Sequence, residues 1–208
     1  MNQYNELKET ATVLAFLAYM MNNAPDTALL EKLRENYKNN PSDSAEIEEF
    51  WQKHKDSGDK KIVEDMAADW ARLFRGTLPG NVQKPPYAGI FISKDGLGTE
   101  IMVALKYMYD NHSFTPTKED RMDYLGIILD FMAGLLGSYA SFAEKGQTAE
   151  AESCLRTLKE VCLKYTNTWL KTFGDQTLKN AQNPLYREYI LTLTETVNDI
   201  SAMLLEAE

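Results

Sequence analysis

Two histidines and two cysteines are all that this 208-residue chain offers of the side chains that most often bind transition metals or act as nucleophiles near neutral pH. His54 and His112 have no carboxylate three residues upstream and no partner four residues away, so neither di-metal bundle spacing nor zinc-protease spacing is met. Cys154 and Cys162 fall in one expected helix, about 12 Å apart along its axis, which is too far for a disulfide. Without further local ligands they make no zinc site. Gly-x-Ser-x-Gly, phosphate-loop and kinase signatures are missing, and Gly96-Leu97-Gly98 lacks the third glycine and the flanking strand of a phosphate cradle. These absences remove the common routes to catalysis, metal and cofactor binding. The expectation is a binding protein that is not an enzyme and holds no cofactor.

Other absences narrow the setting. No run of some 18 apolar residues occurs, so no membrane insertion is expected. The apolar stretch Val13 to Met21 follows Glu6, Lys8 and Glu9 instead of a basic segment, which argues against a secretory signal. With two unpaired thiols, a reducing cytoplasm is the expected compartment. Acidic residues number 31 against 22 basic ones, a formal charge of −9, which disfavours nucleic acid or anionic lipid and favours a basic partner. Solubility alone also accounts for such a charge. The length fits a single domain, 1–208.

What is present reads as helix throughout. Expected helices run from about Gln3 to Asn23, with Leu7, Val13, Leu14, Leu17 and Met21 inward, and from Thr27 to Tyr37. An acidic piece capped by Ser42 or Asp43 then reaches Lys53. Ile62, Val63, Met66, Trp70, Leu73 and Phe74 stripe the next helix, which Gly76 stops. Five of the eleven glycines and Pro79, Pro85 and Pro86 crowd the stretch from Gly76 to Thr99, so a long Pro/Gly-containing loop is expected, packed through Tyr87, Ile90 and Phe91. Helices follow over Thr99–Asn111, then from Asp120 to Lys145 behind a capping box of Thr117 and Asp120. The next runs over Thr148–Phe173, ending at Gly174, and the last starts from the Asn183-Pro184 cap. No strand is expected. The fold class is all-α, a single-domain bundle of about seven to nine helices.

The helix that begins at Asp120 is the most apolar and the most marked by glycine. Met122, Leu125, Leu129, Met132, Leu136 and Tyr139 form its core face. Asp123, Gly126, Asp130, Gly134 and Gly137 gather on the other side, where three glycines cost about 3 kcal/mol relative to alanine. Two explanations fit: a second helix packs against the glycines, or a shallow groove receives a ligand while Asp123 and Asp130 pair with a cation.

Trp70-Ala71-Arg72-Leu73-Phe74-Arg75-Gly76, then Pro86-Tyr87, then Glu119 to Gly126 running into Leu129-Asp130-Phe131-Met132, resemble the paired signatures of the TorD/DmsD-type redox-enzyme maturation chaperones. Trp169 and Phe173, with Pro184-Leu185-Tyr186-Arg187, resemble that family's C-terminal half. The family's histidine at the start of the central helix falls on Tyr124, and a second one falls on Tyr165; both tyrosines keep hydrogen-bonding capacity without a titration near neutral pH.

The resemblance implies an all-helical cytoplasmic chaperone that binds the N-terminal, twin-arginine type signal peptide of a molybdopterin-containing oxidoreductase and holds the apoenzyme until its cofactor is inserted. Paired arginines call for carboxylates and the apolar run behind them for a greasy groove. On this reading Glu119, Asp120, Asp123 and Asp130, with Tyr124, supply the polar contacts, and Trp70, Leu73, Phe74, Pro86 and Tyr87 line the groove. The partners are the signal peptide and the apo catalytic subunit. Monomer and domain-swapped homodimer both remain open, since the loop after Gly76 could hinge an exchange of helices. A helical adaptor for a folded partner and a helical small-molecule binder are the alternatives.

Overall fold

Leu125 begins the helix that the rest of the chain encloses. The structure, a computed structural model, describes residues 3–55, 57–76, 83–116 and 120–206. Its helices are α1 (Gln3–Asn22), α2 (Thr27–Asn39), α3 (Ala45–Lys53), α4 (Asp59–Phe74), α5 (Ala88–Ile92), α6 (Thr99–Asn111), α7 (Leu125–Glu144), α8 (Thr148–Glu160), α9 (Asn167–Asn180) and α10 (Pro184–Glu206). A π-helical turn, Val161–Thr166, joins α8 to α9 without a break, so among the described residues there are nine separate rods and no strand. The all-α bundle expected from periodicity is what forms.

Helix α7 lies antiparallel to α1, with Lys8 bonded to Glu144 at one end (2.6 Å) and the Asn22 amide donating to the Gly126 carbonyl at the other (3.0 Å). By length and composition α7 could cross a membrane, with a window of mean hydropathy 1.5, but most of that window is buried against neighbouring helices. Its glycines serve the contact with α1 unequally. A β-carbon on Gly126 would run into the Asn22 side chain, one on Gly137 would just touch Ala11 (3.8 Å), and one on Gly134 would meet nothing. Helix packing thus requires glycine only at 126.

Helix α1 ends under a roof of aromatic donors. A helix C-terminus leaves carbonyls without intrahelical partners, and here the Trp70 indole donates to the Met20 and Met21 carbonyls (3.2 Å each). The Tyr124 hydroxyl also donates to Met21 (3.0 Å), and Tyr189 donates to Leu17 (3.0 Å). The α4 stripe is confirmed, with Ile62, Met66, Leu73 and Phe74 buried.

Several boundaries differ from expectation for identifiable reasons. The central helix starts at Leu125 and not at Asp120, because Arg121 to Tyr124 form a turn closed by the Tyr124 amide on the Arg121 carbonyl (3.0 Å). Thr117 of the expected capping box lies outside the described residues, and Asp120 is bonded elsewhere. Gly174 does not end its helix; α9 continues to Asn180, and the glycine lets α10 approach, since a β-carbon there would sit 3.3 Å from the Thr194 hydroxyl. The long loop contains α5, whose Phe91 stacks on Trp169 (4.7 Å); residues 77–82, where a swapping hinge was expected, lie outside the description. Val13, expected inward, is 43% exposed. The Asn183-Pro184 start of α10 holds, with Asn183 accepting from the Leu185 amide (3.0 Å).

Gly126→Ala should destabilise the protein by about 1–3 kcal/mol, because the methyl overpacks a filled contact. Gly134→Ala should stabilise it by up to about 1 kcal/mol, the helix-propensity gain with nothing to hit. Urea midpoints measure both, and equal values for the two variants would contradict the packing of α1 on α7.

Candidate functional site

The segments 83–92 and 120–125 are drawn together by backbone before any side chain acts. Tyr87 and Tyr124 form an isolated antiparallel bridge, in which the Leu125 amide donates to the Pro86 carbonyl (2.8 Å) and the Ala88 amide to the Asp123 carbonyl (2.9 Å). The C-terminal end of α4 closes against this bridge. Two carboxylates and three rings of the expected site, Asp120, Asp123, Trp70, Tyr87 and Tyr124, therefore meet at one place with two arginines that were not expected there, Arg75 and Arg121.

Within this knot each carboxylate has its own guanidinium. Arg75 bonds Asp120, which also accepts from the Tyr87 hydroxyl (3.0 Å) and the Arg121 amide (2.8 Å). Arg121 holds Asp123 with two hydrogen bonds (3.0 and 2.9 Å) and donates a third to the Leu97 carbonyl (2.8 Å). Asp123 is completely buried, and its other visible bond comes from the Gly89 amide (2.8 Å) at the start of α5. The Arg75 guanidinium also lies over the rings of Trp70 and Tyr124 (4.9 and 4.7 Å), and that of Arg121 over Tyr87 (4.9 Å).

The electrostatics follow. The hydrogen bonds to Asp123 are the main reason that Arg121 holds its proton more tightly than usual. Burial, with the Asp120 charge added, raises the pKa of Tyr87, and burial raises that of Tyr124. Two acids and two bases cancel, so the cluster has no net charge to offer a cation. Beside it, the glycine loop is filled by its own chain: Asp95 accepts from the Leu97 amide (2.9 Å), and the α5 and α6 starts touch, with a β-carbon on Gly89 falling 2.6 Å from the Gly98 Cα.

The expected site is thus brought together in part and put to different use in part. Trp70, Tyr87, Asp120, Asp123 and Tyr124 share the knot. Leu73 and Phe74 are fully buried core and line no groove, Phe74 packing on Phe173, Tyr186 and Tyr189. Pro86 is buried and contributes its carbonyl to the bridge. Glu119 lies outside the described residues. Asp130 does not join Asp123: it sits half-buried in an open cleft of about 680 Å³ between α1 and α7, beside Gly134 and Phe114, with no ion-pair partner among the described residues. Burial raises its pKa. The paired-acid stripe therefore does not exist as a pair, because the turn before Leu125 takes Asp123 out of the helical register on which that stripe depends.

Two concave surfaces were not foreseen from sequence. A polar cleft of about 620 Å³ lies between α3, α4 and the start of α10, and its charges are largely spoken for: Arg72 bonds Asp69, Arg187 bonds Glu46 (2.8 Å), and Asp69 accepts from the Gln182 and Asn183 amides (2.9 and 2.8 Å). An apolar groove of about 860 Å³ lies between α1, α2, α3 and α10. Its one sequence signal was a second apolar stripe on α1, at Val13, Phe16, Leu17 and Met20. No group of three or more histidine, cysteine or acidic side chains poised for a metal occurs among the described residues. Cys162 is buried, with its thiol pushed up to about 12.

The sequence model of the family described as "Nitrate reductase delta subunit" matches residues 40–175, which contain the whole knot from Trp70 to Tyr124. No curated protein matches the chain.

Arg121→Ala should lower stability by about 1–3 kcal/mol, because it leaves a buried carboxylate with part of its bonding lost while its own partly exposed site rehydrates. Asp123→Asn should cost less, and a double-mutant cycle between the two should show coupling; additive losses would refute the pairing. Asp130→Asn should melt above the parent at neutral pH, since a carboxyl whose pKa is raised by folding destabilises the folded state when charged. That advantage should vanish below the ordinary carboxylate range, where the group is protonated whether folded or unfolded. Melting temperatures across pH check it.

Proposed function

This chain belongs to the nitrate reductase delta subunit family, the molybdoenzyme maturation chaperones, and on that premise we propose that it binds the N-terminal, twin-arginine type leader of a molybdoenzyme catalytic subunit. It holds the apoenzyme during cofactor insertion and releases it afterwards. The single observation that carries this reading is the family match across residues 40–175. The chaperones of that family are not catalysts, in keeping with a chain in which histidine and cysteine are scarce. Two buried thiols, whose pKa burial raises, suit a reducing compartment, and the cytoplasm is the place of action on this reading.

The physical demands of such a leader favour this chain as host. A peptide with two guanidinium groups ahead of an apolar run is attracted to a protein of net charge −9, and the attraction weakens with salt. Its apolar run gains free energy from any greasy surface left open by the fold. The carboxylates of the knot support the fold and are not free acceptors, so the peptide needs other acids.

Calorimetric titration of the full chain with leader peptides of the molybdoenzyme catalytic subunits encoded in the source genome tests the reading. At least one should bind with Kd in the micromolar range or tighter, more weakly at high salt, and should lose most of its affinity when both arginines become alanine. Binding by none of them would overturn the leader-binding reading.

A further inference from the structure

Helix α1 carries two apolar stripes, and the fold covers one of them fully and the other only in part. Ala11, Leu14, Ala18 and Met21 are buried on the α7 side. Val13, Phe16, Leu17 and Met20 recur at the i, i+3, i+4, i+7 spacing of a second stripe, and all four line the groove shared with α2, α3 and α10. Leu17 and Met20 are its buried floor, whereas Phe16 is half-exposed and Val13 is 43% exposed at the rim. From the other walls Leu33, Tyr37, Ile47 and Trp51 add to it. An apolar trough of about 860 Å³ lies within the range that seats small ligands or a row of side chains.

The charges at its edge have a sign. Asp43 and Glu188 border the groove, and neither has an ion-pair or hydrogen-bond partner among the described residues. Lys32 is the one basic residue on the lining, and its ammonium is placed toward the Tyr19 ring (5.7 Å). The two carboxylates of the knot are held by Arg75 and Arg121 and are not open to a basic peptide.

Resting on the function proposed above, we propose that this groove seats the apolar run of the client's leader, with the leader's basic end held at Asp43 and Glu188. The occupant is an apolar segment, helical or extended, that presents side chains on one face to the α1 stripe and carries cationic residues at one end. Of the groove's walls, α1, α2 and α10 lie outside the residues matched by the family model and α3 lies inside them.

The test uses the full chain and the leader peptide that binds it. Val13→Asp alters an exposed rim position, so the melting curve should be unchanged while affinity falls at least tenfold. The paired reversal Asp43→Lys with Glu188→Lys should weaken binding and flatten its dependence on salt. Gly134→Ala, in the α1–α7 cleft, should leave affinity unaltered. If the parent binds a leader and both groove variants bind it equally well, the groove assignment falls while the proposed function stands. If the parent binds no leader, the function falls and this inference with it. Self-association of the parent that Val13→Asp abolishes, with no competition from leader peptide, would assign the groove to a second copy of the chain and overturn the proposal.

Discussion

A carboxylate with no access to water must find its partners inside the protein, and the Asp123 side chain dictates much of what surrounds it. It is completely buried, and an ionised acid in that position is tolerated only with charge and hydrogen bonds supplied. Arg121 supplies the charge and Gly89 a backbone donor. Those three bonds pin the start of α5 and the turn before α7 to each other. Gly98, at the left-handed φ of +70°, brings the start of α6 into the same contact. A side chain at either glycine would strike the other backbone or the carboxylate. The position of α7, and with it the seat of α1, descends from this one buried group.

The aromatic residues around it close the ends of helices. Trp70 and Tyr124 satisfy the carbonyls at the C-terminus of α1, so the signature that marks the family in sequence acts in this chain as a cap and a clasp. Arg75, between those two rings, neutralises Asp120. A region rich in acids and aromatics is thereby made neutral and inward-looking. Tyrosine at position 124 fits that use: it donates from a buried place at no charge, where an imidazole would be penalised when protonated.

Surface left open by such a scheme has to be sought elsewhere. The bundle buries one side of α1 under α7 and leaves the other facing a trough that α2, α3 and α10 only partly fill. Proteins seldom leave an apolar strip of this kind uncovered without a partner for it. The excess of acid over base on the chain as a whole, and at the rim of this trough, sets the sign of that partner. The knot uses its charges internally, whereas Asp43 and Glu188 at the rim of the trough are not used by the fold among the described residues.

The helical class, the positions of most helices and the family resemblance were all legible in the sequence. Hydrophobic periodicity, proline, glycine and cap residues act over a few neighbours, and those short-range signals survive in a linear reading. The stripe of α4, the Asn183-Pro184 start of α10 and the buried face of α7 are examples. Tertiary structure alone decided which polar groups meet. The sequence places Asp123 and Asp130 seven residues apart, as if on one helical face, but a single turn before Leu125 removes Asp123 from that helix. It then joins Arg121, two residues away, and Gly89, thirty-four away. Periodicity likewise reveals that α1 has apolar residues at positions 13, 16, 17 and 20, but not that the fold buries Leu17 and Met20 while leaving Val13 and Phe16 at an open rim. What a side chain is beside depends on contacts distant in sequence, and a local pattern carries no information about those.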